Sequence, residues 1–187
     1  LALTLGIKDS EYIGHISYDM DGALKLSKNA RDRNLSVFGQ YPYDNIYQEI
    51  NAPYEFSNIS ECSGSFDKME SMEGDSNYVR VHGWFFDVKT KLSPKLIRFI
   101  SKQGNIVGFG LTGDGVKKLV NTKAGLSGFR GYIQSSATGL HVTAVGDSPN
   151  CKLDFYIPPK IIGLSKVTEI NAYLSPSSIL NDNAIKN

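Results

Sequence analysis

One tryptophan, two cysteines and three histidines are among the rarest side chains in this sequence of 187 residues, and each has a chemistry of its own. The histidines stand at 15, 82 and 141. His82 and His141 fall in strand-like segments and could meet across a sheet. A zinc site needs more ligands than that, and Cys62 and Cys151 lack C-x-x-C spacing, so no metal is expected. Gly108-Phe109-Gly110-Leu111-Thr112-Gly113 matches the dinucleotide fingerprint G-x-G-x-x-G, and Val116-Lys117-Lys118-Leu119-Val120 could form the helix behind it. That fingerprint requires a βαβ unit and an acidic residue about 20 positions further on. The chain has Arg130-Gly131-Tyr132 there, and a hairpin pattern upstream, so turning glycines are expected and no cofactor. Tyr18-Asp19-Met20-Asp21-Gly22 begins like a calcium loop, but Ala30 or Asp32 stands where the closing Glu belongs, which leaves a helix cap as the better reading. No G-x-S-x-G elbow or paired nucleophile and base is present.

Each cysteine lies in a turn-like setting beside a predicted strand, Glu61-Cys62-Ser63-Gly64 and Pro149-Asn150-Cys151-Lys152. That placement suits a disulfide joining the start and end of one β-unit, in an oxidising compartment. Two free thiols serving as small buried hydrophobes are the alternative. Trp84 sits in Gly83-Trp84-Phe85-Phe86-Asp87. It is read either as a platform for a sugar ring flanked by Asp87 and Arg130, or as a core aromatic between two sheets. The core position is the expectation, together with Gly83 and Phe129. Asn34-Leu35-Ser36 and Asn58-Ile59-Ser60 match the glycosylation sequon, a pattern that recurs by chance.

The elements that must position these residues follow from pattern and composition. Twenty Lys and Arg against nineteen Asp and Glu leave no basic footprint for nucleic acid. Eighteen Gly, ten Tyr and nine Phe point to β-structure with many tight turns. Residues 1–57 read as a helical and irregular segment. Its clearest helix runs over 21–33, with Asp19 or Asp21 as cap and Asn34 as stop. Residues 58–163 alternate with period two, giving strands near 78–88, 96–100, 106–110, 127–133, 140–145 and 153–157. Short strands with regular turn signals predict a mainly β fold, an antiparallel β-sandwich of jelly-roll or Ig-like type. Residues 164–187, rich in Ser and Asn, read as a loosely ordered tail. A start at Leu1 reads as a piece of something longer. The apolar opening Leu1–Ile7 is either the end of a membrane helix or a first helical turn.

Cys62-Ser63-Gly64-Ser65-Phe66-Asp67, Val81-His82-Gly83-Trp84-Phe85-Phe86-Asp87, the hairpin from Gly104 to Gly110 and Ser127-Gly128-Phe129-Arg130-Gly131-Tyr132 form a series. Together they resemble the C-terminal extracytoplasmic β-sandwich of bacterial polytopic membrane glycosyltransferases, including O-antigen-modifying glucosyltransferases. Where related hairpins continue into R-x-D-V, this chain has Gly113-Asp114-Gly115-Val116. The resemblance implies a periplasmic, non-catalytic domain attached to a membrane-embedded body of the same polypeptide at the bacterial inner membrane. Asp87, Arg130 and Tyr132 are then the candidates for contact with a surface polysaccharide such as O-antigen. A secreted or surface carbohydrate-binding module is the alternative, and an independent hydrolase lacks any carboxylate or triad signature.

Overall fold

The computed structural model describes residues 1–57, 59–116 and 124–159 and the backbone of residues 168–169. Seven strands form a ring: β1 (Ser60–Ser71), β2 (Tyr78–Asp87), β3 (Leu96–Ser101), β4 (Ile106–Asp114), β5 (Gly128–Gln134), β6 (His141–Asp147) and β7 (Asn150–Tyr156). Round the wall the order is β1-β2-β5-β4-β3-β6-β7, and β7 returns to β1. The seam is parallel, with Ser60 and Glu61 beside Cys151 and Lys152. The six other pairings of the ring are antiparallel. A short β8 (Thr168–Glu169) adds to β1.

The expected sandwich is thereby corrected to a closed barrel. Alternating strands with frequent turns belong to both architectures. They differ in whether the outer strands of the sequence find each other, and here that pairing joins segments 89 residues apart. Local periodicity carries no information about such a partner. The predicted strands themselves are present, most within a few residues of their expected bounds, while the full length of β1 was not foreseen.

A seven-stranded barrel is narrow enough for side chains to fill it. Phe66, Phe85, Phe99, Phe129 and Phe155 do so, with Val79, Val81, Ile97, Ile133 and Ala144. Phe66 lies at the centre, its ring 4.4 Å from Phe155, 5.5 Å from Phe129 and 5.6 Å from Phe99. Burying a phenylalanine contributes about 1.5–3 kcal/mol. Room for these rings comes partly from Gly83. A Cβ there would stand 1.9 Å from the Ser65 carbonyl and 2.9 Å from the Phe129 ring. The disulfide is formed. Cys62 and Cys151, with Cα atoms 5.2 Å apart, bind the seam from inside the barrel. Closing so long a loop is worth about 4–5 kcal/mol in the chain-entropy model.

Four short helices lie against the outside: α1 (Ala2–Leu5), α2 (Ser10–Gly14), α3 (Met20–Asp32) and α4 (Ile46–Glu49). Asp19 caps α3 by accepting from the Gly22 amide at 2.8 Å, and Asn34 follows it with φ of 52°, as expected of that pair. Buried Arg31 of α3 donates to the Thr4 carbonyl at 2.7 Å and lies over the Tyr47 ring, so it ties three helices together. Ile7, Ile13 and Ile46 pack on Leu96, Ile100, Ile106, Phe109 and Val145 of the wall. Residues 51–54 continue this attachment through backbone bonds to Gly104 and Ile106. Among the described residues no helix is long and apolar enough to cross a membrane. The tail over 164–187 lies outside the described residues, apart from the backbone of 168–169, as do 117–120 of the helix weighed behind the glycine fingerprint.

Candidate functional site

Alternation along β2 sends Val79, Val81, Gly83 and Phe85 inward and Tyr78, Arg80, His82, Trp84 and Phe86 outward. Registers with β1 and β5 extend these outward residues into rows across three strands. Glu70, Arg80 and Tyr132 form one row, and Lys68, His82 and Arg130 the next. Ser65, Trp84 and Gly128 form a third. Side chains directly opposite stand about 5 Å apart at Cβ. The outer wall of β1, β2 and β5 therefore grades from charged residues to an aromatic surface.

Helix α2 roofs the charged end. Arg80 is 3% exposed and donates to both oxygens of Asp9, from Nη2 at 2.6 Å and Nε at 3.0 Å. Its Nη1 reaches Glu11 at 2.8 Å and Glu70 at 3.2 Å. The Tyr12 ring lies 4.2 Å from its guanidinium carbon. Tyr132 donates to Asp9 at 2.8 Å. Burial alone would push the Asp9 carboxyl up, but hydrogen bonds from Arg80 and Tyr132 outweigh it and hold Asp9 below the ordinary carboxylate range. Burial and the Asp9 carboxylate both push the Tyr132 hydroxyl up, so it stays protonated and donating. His82 faces Glu70 at 3.0 Å, yet burial prevails and lowers its pKa.

Beyond the roof the wall opens. Arg130 is exposed and its Nε donates to Asp114 at 2.6 Å. A bulge between Thr112 and Asp114, with Gly113 at φ of 132°, turns the Asp114 side chain toward it. Gly128 makes room for that bulge, because a Cβ would stand 2.7 Å from the Asp114 carbonyl. Trp84 is partly buried beside Gly128, and its ring stacks on Phe86 at 5.6 Å with planes 22° apart. The Lys91 ammonium lies 5.6 Å from the other aromatic, Phe86.

The sequence-derived candidates thus divide. Arg130 stands in the open wall, diagonal to Trp84. Tyr132 is 7% exposed and its hydroxyl is committed to Asp9, so it holds α2 in place. Asp87 is 2% exposed and accepts from Ser60, from the Thr90 hydroxyl at 2.7 Å and from the Thr90 amide. It fixes the turn after β2. Gly83 and Phe129 line the interior as expected, but Trp84 does not, because it occupies an outward position of the same strand. His82 and His141 do not meet, since His141 lies against Tyr156 with ring centroids 5.2 Å apart. Asp9, Glu11, Glu70, Arg80 and Asp114 went unrecognised. The alternation Val79-Arg80-Val81-His82 carried the signal for a charged outer face, but not for the partners that α2 brings to it.

Away from this wall, an open depression of about 450 Å³ lies at the barrel rim between Pro42, Tyr43, Leu92, Leu111 and Leu126. Among the described residues no group of three or more His, Cys, Asp or Glu is placed to hold a metal ion. No family model, curated protein or solved structure matches this chain. The likeness to glycosyltransferase domains therefore rests on its motifs alone.

Proposed function

We propose that this chain is a non-catalytic, extracytoplasmic domain of a multi-pass membrane glycosyltransferase, which contacts the surface polysaccharide that the membrane body modifies and helps to position it as acceptor. The motif series from Cys62 to Tyr132 supports the family, and the Cys62–Cys151 bond is compatible with the oxidising side of the membrane. The observation that carries glycan contact is the outward Trp84, stacked on Phe86 beside the exposed Arg130–Asp114 pair. An aromatic face covers the apolar side of a sugar ring, and nearby donors and acceptors pair its hydroxyls. A shallow site of this kind binds with a Kd on the order of millimolar.

Chemical-shift titration with polysaccharide repeat units tests the contact. Shifts gathered at Trp84, His82, Arg130 and Asp114 are expected. A spectrum unchanged at tens of millimolar glycan would leave the domain as a structural partner of the membrane body. Deleting the barrel from the full-length protein separates that outcome from the family assignment. Polysaccharide modification is expected to fail while the body still inserts in the membrane, and a body fully active without the barrel would overturn the positioning role.

A further inference from the structure

Resting on the glycan-contacting reading, we infer that the corner formed by Trp84, Arg130 and Asp114 is a subsite for an uncharged pyranose, which stacks on Trp84 and hydrogen-bonds the ion pair through two neighbouring hydroxyls.

Three features of the corner define the ligand. The first is its charge. Lys68, Arg80 and Arg130 on the wall face Glu70 and Asp114 on the wall and Asp9 and Glu11 from the α2 roof, and Lys91 lies beside Phe86, so the described residues bring four cations against four carboxylates. His82, between them, is disfavoured as a cation by burial. Among the described residues no net positive charge results, and a uronate or a sugar phosphate would also meet the Asp114 carboxylate. An uncharged ring meets no such penalty.

The second is unused hydrogen-bonding capacity. Arg130 gives Asp114 its Nε and also meets the Tyr12 side chain, yet Arg130 and Asp114 remain about half exposed, at 55% and 47%. At that exposure the pair keeps donor and acceptor capacity toward solvent. A donor and an acceptor side by side match two adjacent hydroxyls, one accepting from Arg130 and one donating to Asp114.

The third is that the pair is built by the backbone. Most exposed ion pairs join flexible side chains and contribute little. Here the bulge at Gly113 aims Asp114, and Gly128 leaves the place beside Trp84 without a side chain. Register puts Arg130 diagonal to Trp84, about 7–8 Å away along the wall, which is within the span of one pyranose and its hydroxyls. Tyr12 borders the far side, its ring 5.9 Å from the Arg130 guanidinium carbon.

Trp84 is the only tryptophan, so its fluorescence reports on this corner alone. The test titrates the whole chain with methyl glucopyranoside, methyl glucuronide and glucose 6-phosphate, with and without 0.5 M salt, and follows backbone shifts in parallel. The neutral glycoside is expected to change Trp84 emission at millimolar concentration, independently of salt, and the two anionic sugars to bind several-fold more weakly. Asp114→Asn and Arg130→Gln, both exposed substitutions, are expected to weaken the neutral sugar at least fivefold with the shift pattern of the fold intact. Tighter binding of either anionic sugar, or affinity that falls with salt, overturns the inference. So does a neutral sugar that ignores both substitutions. Sugar-induced shifts elsewhere with Trp84 silent remove this subsite and keep the glycan-contacting reading, whereas no shift anywhere removes both.

Discussion

The inside of the barrel and the outside beneath the helices are both buried, but they are held by different physics. Inside, the buried cluster is built from aromatic and aliphatic side chains and the disulfide. Outside, isoleucines pack on the wall, but two arginines fix the attachment. Arg80 clamps Asp9 of the segment before α2, and Arg98 of β3 clamps Glu49 of α4 at 2.6 and 3.1 Å. Apolar contact is indifferent to direction, so the interior sets how tightly the barrel closes. Charged hydrogen bonds need a defined geometry, so the exterior sets where each helix sits. The contrast teaches that the helical segment is located by its polar contacts as much as by its apolar ones.

Phe129→Ala is expected to give the largest loss, toward the upper end of about 3–5 kcal/mol in urea denaturation, because the closed ring cannot collapse into the space left. A loss below 1 kcal/mol would mean that the interior is loosely filled. Arg80→Met is expected to cost about 3 kcal/mol, since it strands the Asp9 carboxylate in a buried place. The double variant Arg80→Met with Asp9→Leu is expected to recover most of that loss while hydrogen exchange in α2 rises. Equal protection of α2 in that variant would break the claim that the clamp locates the helix.

Acidification separates the two regions without mutation. His82 folds with a pKa below its ordinary value of 6.5, so the unfolded chain takes up that proton first and stability falls as pH drops through that value. Asp9 and Glu70 fold with lowered pKa values, so their contribution is present above the ordinary carboxylate range and is lost as pH falls through their depressed folded values. Denaturation midpoints between pH 8 and pH 3 are expected to decline in these two stages, with His82→Gln removing the first and Asp9→Asn flattening the second. A midpoint that ignores pH would assign the attachment to apolar packing. Trp84→Ala gives the smallest effect, about 1 kcal/mol, because the ring is partly exposed on the outer face. A loss as large as that of Phe129→Ala would show that Trp84 carries core weight.

Most strands and the main helix were legible because each is written in a local period. Tyr78–Asp87 alternates, and Met20–Asp32 carries its own cap and stop. The placement of the cysteines beside strand ends pointed to their bond. Closure of the ring was not legible, since it depends on Ser60 meeting Cys151. Trp84 was misplaced for a related reason. Alternation in Gly83-Trp84-Phe85-Phe86 fixes that Trp84 and Phe85 face opposite ways, but not which way is in. Ring size favours Trp84 for the core, and the structure gives that place to Phe85. At the site, Arg130 was recognised from its own surroundings, whereas its partner Asp114 depends on a bulge that the sequence does not announce.

The seam disulfide also has a mechanical consequence. Cys62 lies at the start of the first barrel strand and Cys151 near the start of the last, so tension applied to the chain on either side of the barrel passes from residue 62 to residue 151 through sulfur. The chain between them, a sequence separation of 89, is taken out of the line of force. Fully extended, such a stretch would lengthen by roughly 300 Å, yet in the oxidised protein it contributes only the 5.2 Å between the two Cα atoms. Stretching would peel away the flanking segments while the strands between 62 and 151 stay unloaded, and reduction would convert a nearly inextensible link into a long, yielding one.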